Sequence, residues 1–176
     1  MKDKDMTGDH HFDQAQLREA FGLFPSGVAA IAAQHDHAPH VIVASSFSVG
    51  VSLQPPLAAF FVQKHSSTWR FLQHAERLGV SILSYEHAQI CRQLAGQDKN
   101  QRFEGVDYHV TATGAIQLAK APIWFECSIY DVHPAGDHLS VQLLIQKLNI
   151  QKDTTPLVYH QSRFFPLDAT TTALSA

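Results

Sequence analysis

From Asp13 onward, apolar residues recur at helical spacing, at Leu17, Ala20, Phe21 and Phe24, and this predicts a first helix. Asp13 is a good N-cap, and Gln16 stands three residues further on, as in a capping box. Pro25-Ser26-Gly27 ends the helix. The pattern then changes to short runs at 28–33, 41–47, 57–62 and 79–83, the second rich in β-branched residues, which read as strands. His35-Asp36-His37-Ala38-Pro39-His40 is the polar connection of a hairpin, and Pro55-Pro56 sets off the third run because proline cannot donate to a ladder. Longer runs at 123–133 and 138–150 flank Pro134-Ala135-Gly136-Asp137, a turn sequence. A last strand is expected over 157–165. Short helices are expected over 66–74 and 85–94, the second with Gly96 just past its end.

Six to seven mostly antiparallel strands with a few short peripheral helices predict a mainly β protein, a closed or nearly closed barrel. No regular βαβ alternation is present, so a dinucleotide fold of the parallel kind is not expected. One domain over 12–167 is the simple organisation. Residues 1–11 are polar and mixed in charge, residues 168–176 are mostly small and polar, and both are expected to be flexible ends.

Composition narrows the field. Of 176 residues, 45% are hydrophobic and 16% charged, which suits a packed core and not disorder. Thirteen Lys and Arg against 16 Asp and Glu leave a net charge of −3, with no basic cluster for a nucleic acid. No apolar run approaches the ~20 residues of a membrane helix. Cys91 and Cys127 offer neither a disulfide framework nor metal-ligand spacing, and a cytoplasmic location is expected.

Walker loops, a Gly-x-Gly-x-x-Gly turn, a nucleophile elbow and a His-Glu-x-x-His helix are all missing from the sequence. Twelve histidines invite a metal reading. Yet His35, His37 and His40 share their loop with one carboxylate and no cysteine, so they read as a polar hairpin tip and no metal site is expected. His138 opens a strand after Gly136-Asp137, where its ring can face a cleft or plain solvent. Ser66-Ser67-Thr68 lies near Lys64 at the start of an expected helix. Unpaired N–H groups and hydroxyls there suit an anion, or Ser66 simply caps the helix. Ser45, Ser46, Ser48 and Ser52 surround a strand end. They can supply the polar edge of a flat heteroaromatic ligand, or form a serine-rich loop.

Eight segments, spread from Phe21 to Phe165, resemble the flavin reductase-like family in content and order. They are Phe24-Pro25-Ser26-Gly27-Val28, Ser45-Ser46-Phe47, Val51-Ser52-Leu53-Gln54-Pro55-Pro56-Leu57, Ser66-Ser67-Thr68-Trp69, Leu78-Gly79-Val80-Ser81-Ile82-Leu83, Arg102-Phe103-Glu104-Gly105-Val106, Gly136-Asp137-His138 and Tyr159-His160-Gln161-Ser162-Arg163-Phe164. The resemblance implies an FMN-binding split β-barrel, usually a homodimer. It further implies that Ser45, Ser46, Phe47, Ser48 and Ser52 line the isoalloxazine and ribityl chain. Ser66, Ser67 and Thr68 would hold the phosphate. Pro25 and Ser26 would sit beside the ring, with Arg102 and Phe103 near the flavin. His138, the expected catalytic residue, would border the nicotinamide pocket with Tyr159 and Arg163. Relative to the family, the segment before Pro55-Pro56 is longer by a residue at Val49-Gly50.

The expected activity is therefore an NAD(P)H:flavin oxidoreductase. It would use FMN, with FAD as the alternative, and NADH or NADPH as hydride donor, and would supply reduced flavin to a partner monooxygenase. A flavin-binding electron carrier without turnover is the competing reading, and a β-barrel that binds no flavin is a third.

Overall fold

The computed structural model describes residues 13–167. The two expected flexible ends, and Phe12 of the expected domain, lie outside these residues. α1 (Gln14–Gly22) begins as its sequence demands. The Gln16 N–H donates to Asp13 Oδ1 at 2.7 Å, and the Asp13 N–H donates to Gln16 Oε1 at 3.1 Å. No residue of α1 is buried, although its apolar stripe reads as a packing face.

β1 (Ser26–Gly27), β2 (Ala29–His35), β3 (Ala38–Ala44), β4 (Ser48–Leu53), β5 (Pro56–Gln63) and β6 (Leu78–Ile82) follow. After the one-turn helix α2 (Trp69–Leu72), a 3-10 turn at Tyr85–His87 leads into α3 (Ala88–Leu94). β7 (Tyr108–Val110) and β8 (Ile116–Leu118) form a small hairpin, β9 (Ile123–Ala135) and β10 (His138–Ile150) a long one, and β11 (Leu157–His160) and β12 (Arg163–Pro166) a third.

Seven antiparallel strands make the main sheet in the order β3-β2-β6-β9-β10-β5-β4, while β1, β11 and β12 form a separate three-stranded sheet. The main sheet curls so that β3 approaches β5. No ladder joins these two strands. Ser46 spans the gap instead, its hydroxyl donating to Phe61 O at 3.2 Å and accepting from Phe61 N–H at 3.4 Å. This is a barrel left split along one seam.

β2 has a role its small residues explain. Ala29 to Ala33 are all buried, because both faces of the strand are covered. Ala29, Ile31 and Ala33 face the barrel interior with Phe60, Leu72, Val80 and Val141. Ala30 and Ala32 face a second cluster with Val41, Leu94, Ile116 and Leu157. Gly79 is required by the same outer layer. A Cβ there would stand 1.9 Å from Ile116 O, where the backbone of β8 crosses β6.

Two turns differ from the sequence reading. Asp36 and His37 both have positive φ, 50° and 62°, and close the β2–β3 hairpin with His35 opposite Ala38. Gln161 and Ser162 do the same at 48° and 61°, so the expected strand over 157–165 is broken into β11 and β12. Both loops have the left-handed pair that a two-residue hairpin of matching twist needs, and neither contains glycine. The β9–β10 loop, Gly136-Asp137, has positive φ at Gly136 alone, 62°. In β4, residues 49–51 oppose only Ala58, so the extra length expected at Val49-Gly50 is a bulge, with Gly50 at φ 69°.

Candidate active site

A cleft of about 480 Å³ follows the split. One wall is β3 and the chain beyond it, Val41 to Ser46; the other is Phe61, Val62 and Gln63 of β5, with His138 beside them. Ser66, Thr68, Ala95 and Arg102 line it too. Ser45, Ser46 and Phe61 are shared with a neighbouring cleft of about 640 Å³, which adds Phe21, Phe24, Pro25, Ser26, Phe47, Ser48 and Tyr159. A third hollow of about 320 Å³ borders the first through Val43, Ser45 and Ala95, and reaches Cys91, Tyr159, Ser162 and Phe164. Ser45 is common to all three.

Arg102 is the cation of the cleft. Its Nε donates to Gly96 O at 2.7 Å, and its Nη1 donates to Val41 O at 2.9 Å and to Thr68 Oγ1 at 3.0 Å. Burial pulls its pKa down from the ordinary guanidinium value, yet an arginine remains charged at neutral pH. Thr68 is only 5% exposed, so its hydroxyl is fixed in place.

These contacts correct the helix-terminus argument for the anion site. The helix expected over 66–74 is the single turn Trp69–Leu72, too short for a useful macrodipole. The Ser66 hydroxyl accepts from Trp69 N–H at 3.2 Å, as a cap does, and Ser67 is exposed away from the cleft. Positive charge in the cleft comes from Arg102.

His138 pairs with Gln63 at the start of β10. Its Nδ1 lies 2.6 Å from Asp137 Oδ1. A carboxylate acceptor fixes the proton on Nδ1, which leaves Nε2 free to face a ligand. The same hydrogen bond, with the charge of His138, holds the Asp137 carboxyl below its usual range.

The structure brings together Ser45, Ser46, Ser66, Thr68, Arg102 and His138 in one cleft. Pro25, Ser26, Phe47, Ser48 and Tyr159 stand in the adjoining one. Ser52, Ser67, Phe103 and Arg163 line none of the three. Ser52 lies on the outer strand opposite Leu57, Phe103 packs on Tyr108 with ring centroids 4.8 Å apart, and Arg163 is exposed opposite His160. His138 thus shares its cleft with Thr68 and Arg102, apart from Tyr159 and Arg163. The sequence reading missed Phe61, Gln63 and Ala95 as lining residues; their apolar or neutral side chains have no chemical signature.

The histidine hairpin is less solvated than its sequence suggests. His40 stacks on Phe71 with centroids 4.4 Å apart, and burial, then the charges of His35 and Lys99, lowers its pKa. Among the described residues, no three His, Cys, Asp or Glu side chains stand close enough to hold a metal ion. Also among them, no helix is long and apolar enough to cross a membrane.

The flavin reductase like domain matches residues 21–168, and the chain belongs to that family. It is 33% identical to the actinorhodin polyketide dimerase of Streptomyces coelicolor over 157 residues, 88% of this chain and 87% of that one. It is 31% identical to the NADH:FMN oxidoreductase of Rhodococcus erythropolis over 153 residues, 84% of this chain and 79% of that one. Among solved structures, it resembles the NADH:FAD oxidoreductase SgcE6 of Streptomyces globisporus, determined with NAD and FAD fragments. The TM-score is 0.83 at 27% identity, with 90% and 95% of the two chains covered.

Proposed function

We propose that this protein is an NAD(P)H:flavin oxidoreductase whose flavin lies along the split. The observation that carries this is Arg102, held by three hydrogen bonds at one end of a cleft whose other lining is hydroxyls and apolar strand. A cleft of about 480 Å³ is within the usual ~300–1,000 Å³ of small-ligand sites. Its donors match a flavin mononucleotide: a cation for phosphate, serines for a ribityl chain, and Val43 and Phe61 for a flat ring.

When bound, the flavin supplies a two-electron acceptor for hydride from the nicotinamide. Arg102 and Thr68 bind the phosphate and fix the register of the ligand along the seam. Ser45 and Ser46 hold the polar edge of the ring. His138 presents Nε2 from the opposing wall and orients the nicotinamide nucleotide, while Asp137 keeps the proton on Nδ1. Tyr159 and the Pro25-Ser26 turn close the adjoining cleft over the ring. Alignment of the two ligands supplies most of the acceleration, and no general base is needed.

The reduced flavin is released to a separate monooxygenase, the use that the family resemblance implies. A homodimer fits the exposed apolar side chains: Phe21 is 70% exposed, Phe24 74% and Leu53 89%, and a second copy would cover such groups. The buried, unpaired Cys91 and Cys127 fit a reducing cytoplasm.

Steady-state oxidation of NADH and NADPH with added FMN, FAD and riboflavin tests the activity. Turnover that depends on flavin supports it. Bound flavin without nucleotide oxidation would favour the electron-carrier reading, and protein that binds no flavin would overturn both.

A further inference from the structure

The arginine of the cleft sits on a loop with little structure of its own. Between Gly96 and Asp107 the chain forms only turns, closed by Asn100 N–H to Asp98 Oδ1, Glu104 N–H to Gln101 O and Val106 N–H to Phe103 O. Gly105, at φ 68°, turns it back. Phe103 and Val106 pack part of it against the second core cluster, but turns alone do not hold the backbone carbonyls around Arg102.

A polar side chain outside the cleft holds these carbonyls. Gln93, on the last turn of α3, points its amide nitrogen at three carbonyl oxygens of this loop. Nε2 lies 2.7 Å from Glu104 O, 2.9 Å from Gln101 O and 3.4 Å from Arg102 O. An amide nitrogen has two hydrogens. The two short bonds use them, and the third is a shared contact. The same helix end holds the guanidinium through Gly96 O, and the Gly96 N–H donates to Gln93 O at 2.9 Å. Backbone and head group of Arg102 are thus tied to one rigid point.

We infer that Gln93 is a positioning residue for Arg102, and that it sets the preference for phosphorylated over unphosphorylated flavin without touching the ligand. The inference rests on the reading of the cleft as a flavin site. Its physical basis is preorganisation: an arginine whose backbone is less firmly held loses more conformational freedom on binding an anion.

The test compares Gln93→Met, Arg102→Met and the double variant by fluorescence titration of the purified protein with FMN and with riboflavin. Arg102→Met should lose FMN affinity by about tenfold or more and riboflavin affinity by less than about twofold, because only FMN carries the anion. Gln93→Met should show the same selectivity at about fivefold, and the double variant should be no worse than Arg102→Met, since both act through one group. Gln93→Lys, which again offers donors to the carbonyls, should recover part of the loss. If Gln93→Met does not fold, Gln93→Ala, which removes the donor and adds no charge, is read in the same way.

Selective loss in Arg102→Met without it in Gln93→Met overturns the positioning role and leaves the flavin reading intact. Equal loss of both flavins in Gln93→Met, or full additivity, overturns it as well, by showing a general packing effect. No selectivity in Arg102→Met overturns the phosphate reading, and this inference with it.

Discussion

Arg102 Nη1 reaches Thr68 Oγ1 at 3.0 Å across 34 residues of sequence. The bond joins the loop after α3 to the turn after β5, and it places one cation and one hydroxyl side by side in a cleft that neither segment forms alone.

Thr68→Val keeps the shape and removes that hydroxyl. A hydrogen bond to a charged group is worth about 1.5–3 kcal/mol, so FMN should bind more weakly by about tenfold or more, with riboflavin unchanged. Isothermal titration with both ligands checks this. Equal weakening would assign Thr68 to the fold.

His138→Ala should raise KM for the nicotinamide nucleotide and change the FMN dissociation constant by less than about twofold. If His138 contributes equally in ground and transition states, kcat holds; if it aligns the reacting atoms, kcat falls too. Intact nucleotide kinetics with lost FMN binding would put His138 on the flavin, consistent with its sharing a cleft with Arg102.

His87 predicts a pH dependence of stability. Ser84 N–H donates to its Nδ1 at 3.0 Å, and its Nε2–H donates to Ala119 O at 2.8 Å, which fixes the neutral ring. Burial, opposed by the hydrogen bond to Ala119, lowers its pKa from 6.5. The unfolded chain therefore takes up this proton at higher pH than the folded one. The contribution of His87 is complete above pH 6.5 and is lost as pH falls towards the lower folded value. Urea midpoints between pH 7.5 and 5 should fall less steeply in His87→Gln; parallel slopes would remove His87 from the account.

Glu126 is 2% exposed, and its Oε2 has no partner among the described residues, while Oε1 meets Lys147 Nζ at 3.0 Å. The Lys147 side chain is 65% exposed, so solvent screens the pair and Lys147→Met should cost about 1 kcal/mol. Adding Glu126→Gln should return part of this, measured by chemical denaturation. A loss as large in the double variant would mean that Lys147 acts through its apolar stem.

The barrel was legible where a short apolar run met a strong breaker, as at 57–62 after Pro55-Pro56. It was not legible at Gln161-Ser162, because a left-handed pair without glycine leaves no local mark. The three-residue strands β7 and β8 are too short to show a period, and Gly79 matters only because Ile116 crosses it. In the site, the hydroxyl clusters stood out by type. The partners of Arg102, a carbonyl of β3 and Thr68, depend on closure of the whole sheet, which no local pattern encodes.

The two walls of the cleft face each other, yet along the hydrogen-bonded ladders they are joined only by way of β2, β6, β9 and β10. Each of the five ladders between β3 and β5 contributes its own small twist. The width of the site is therefore a collective coordinate of the barrel, in which slight angular changes add up at the seam. Against that sum stand the Ser46 hydroxyl on Phe61 and the Arg102 guanidinium, which spans Val41 and Thr68.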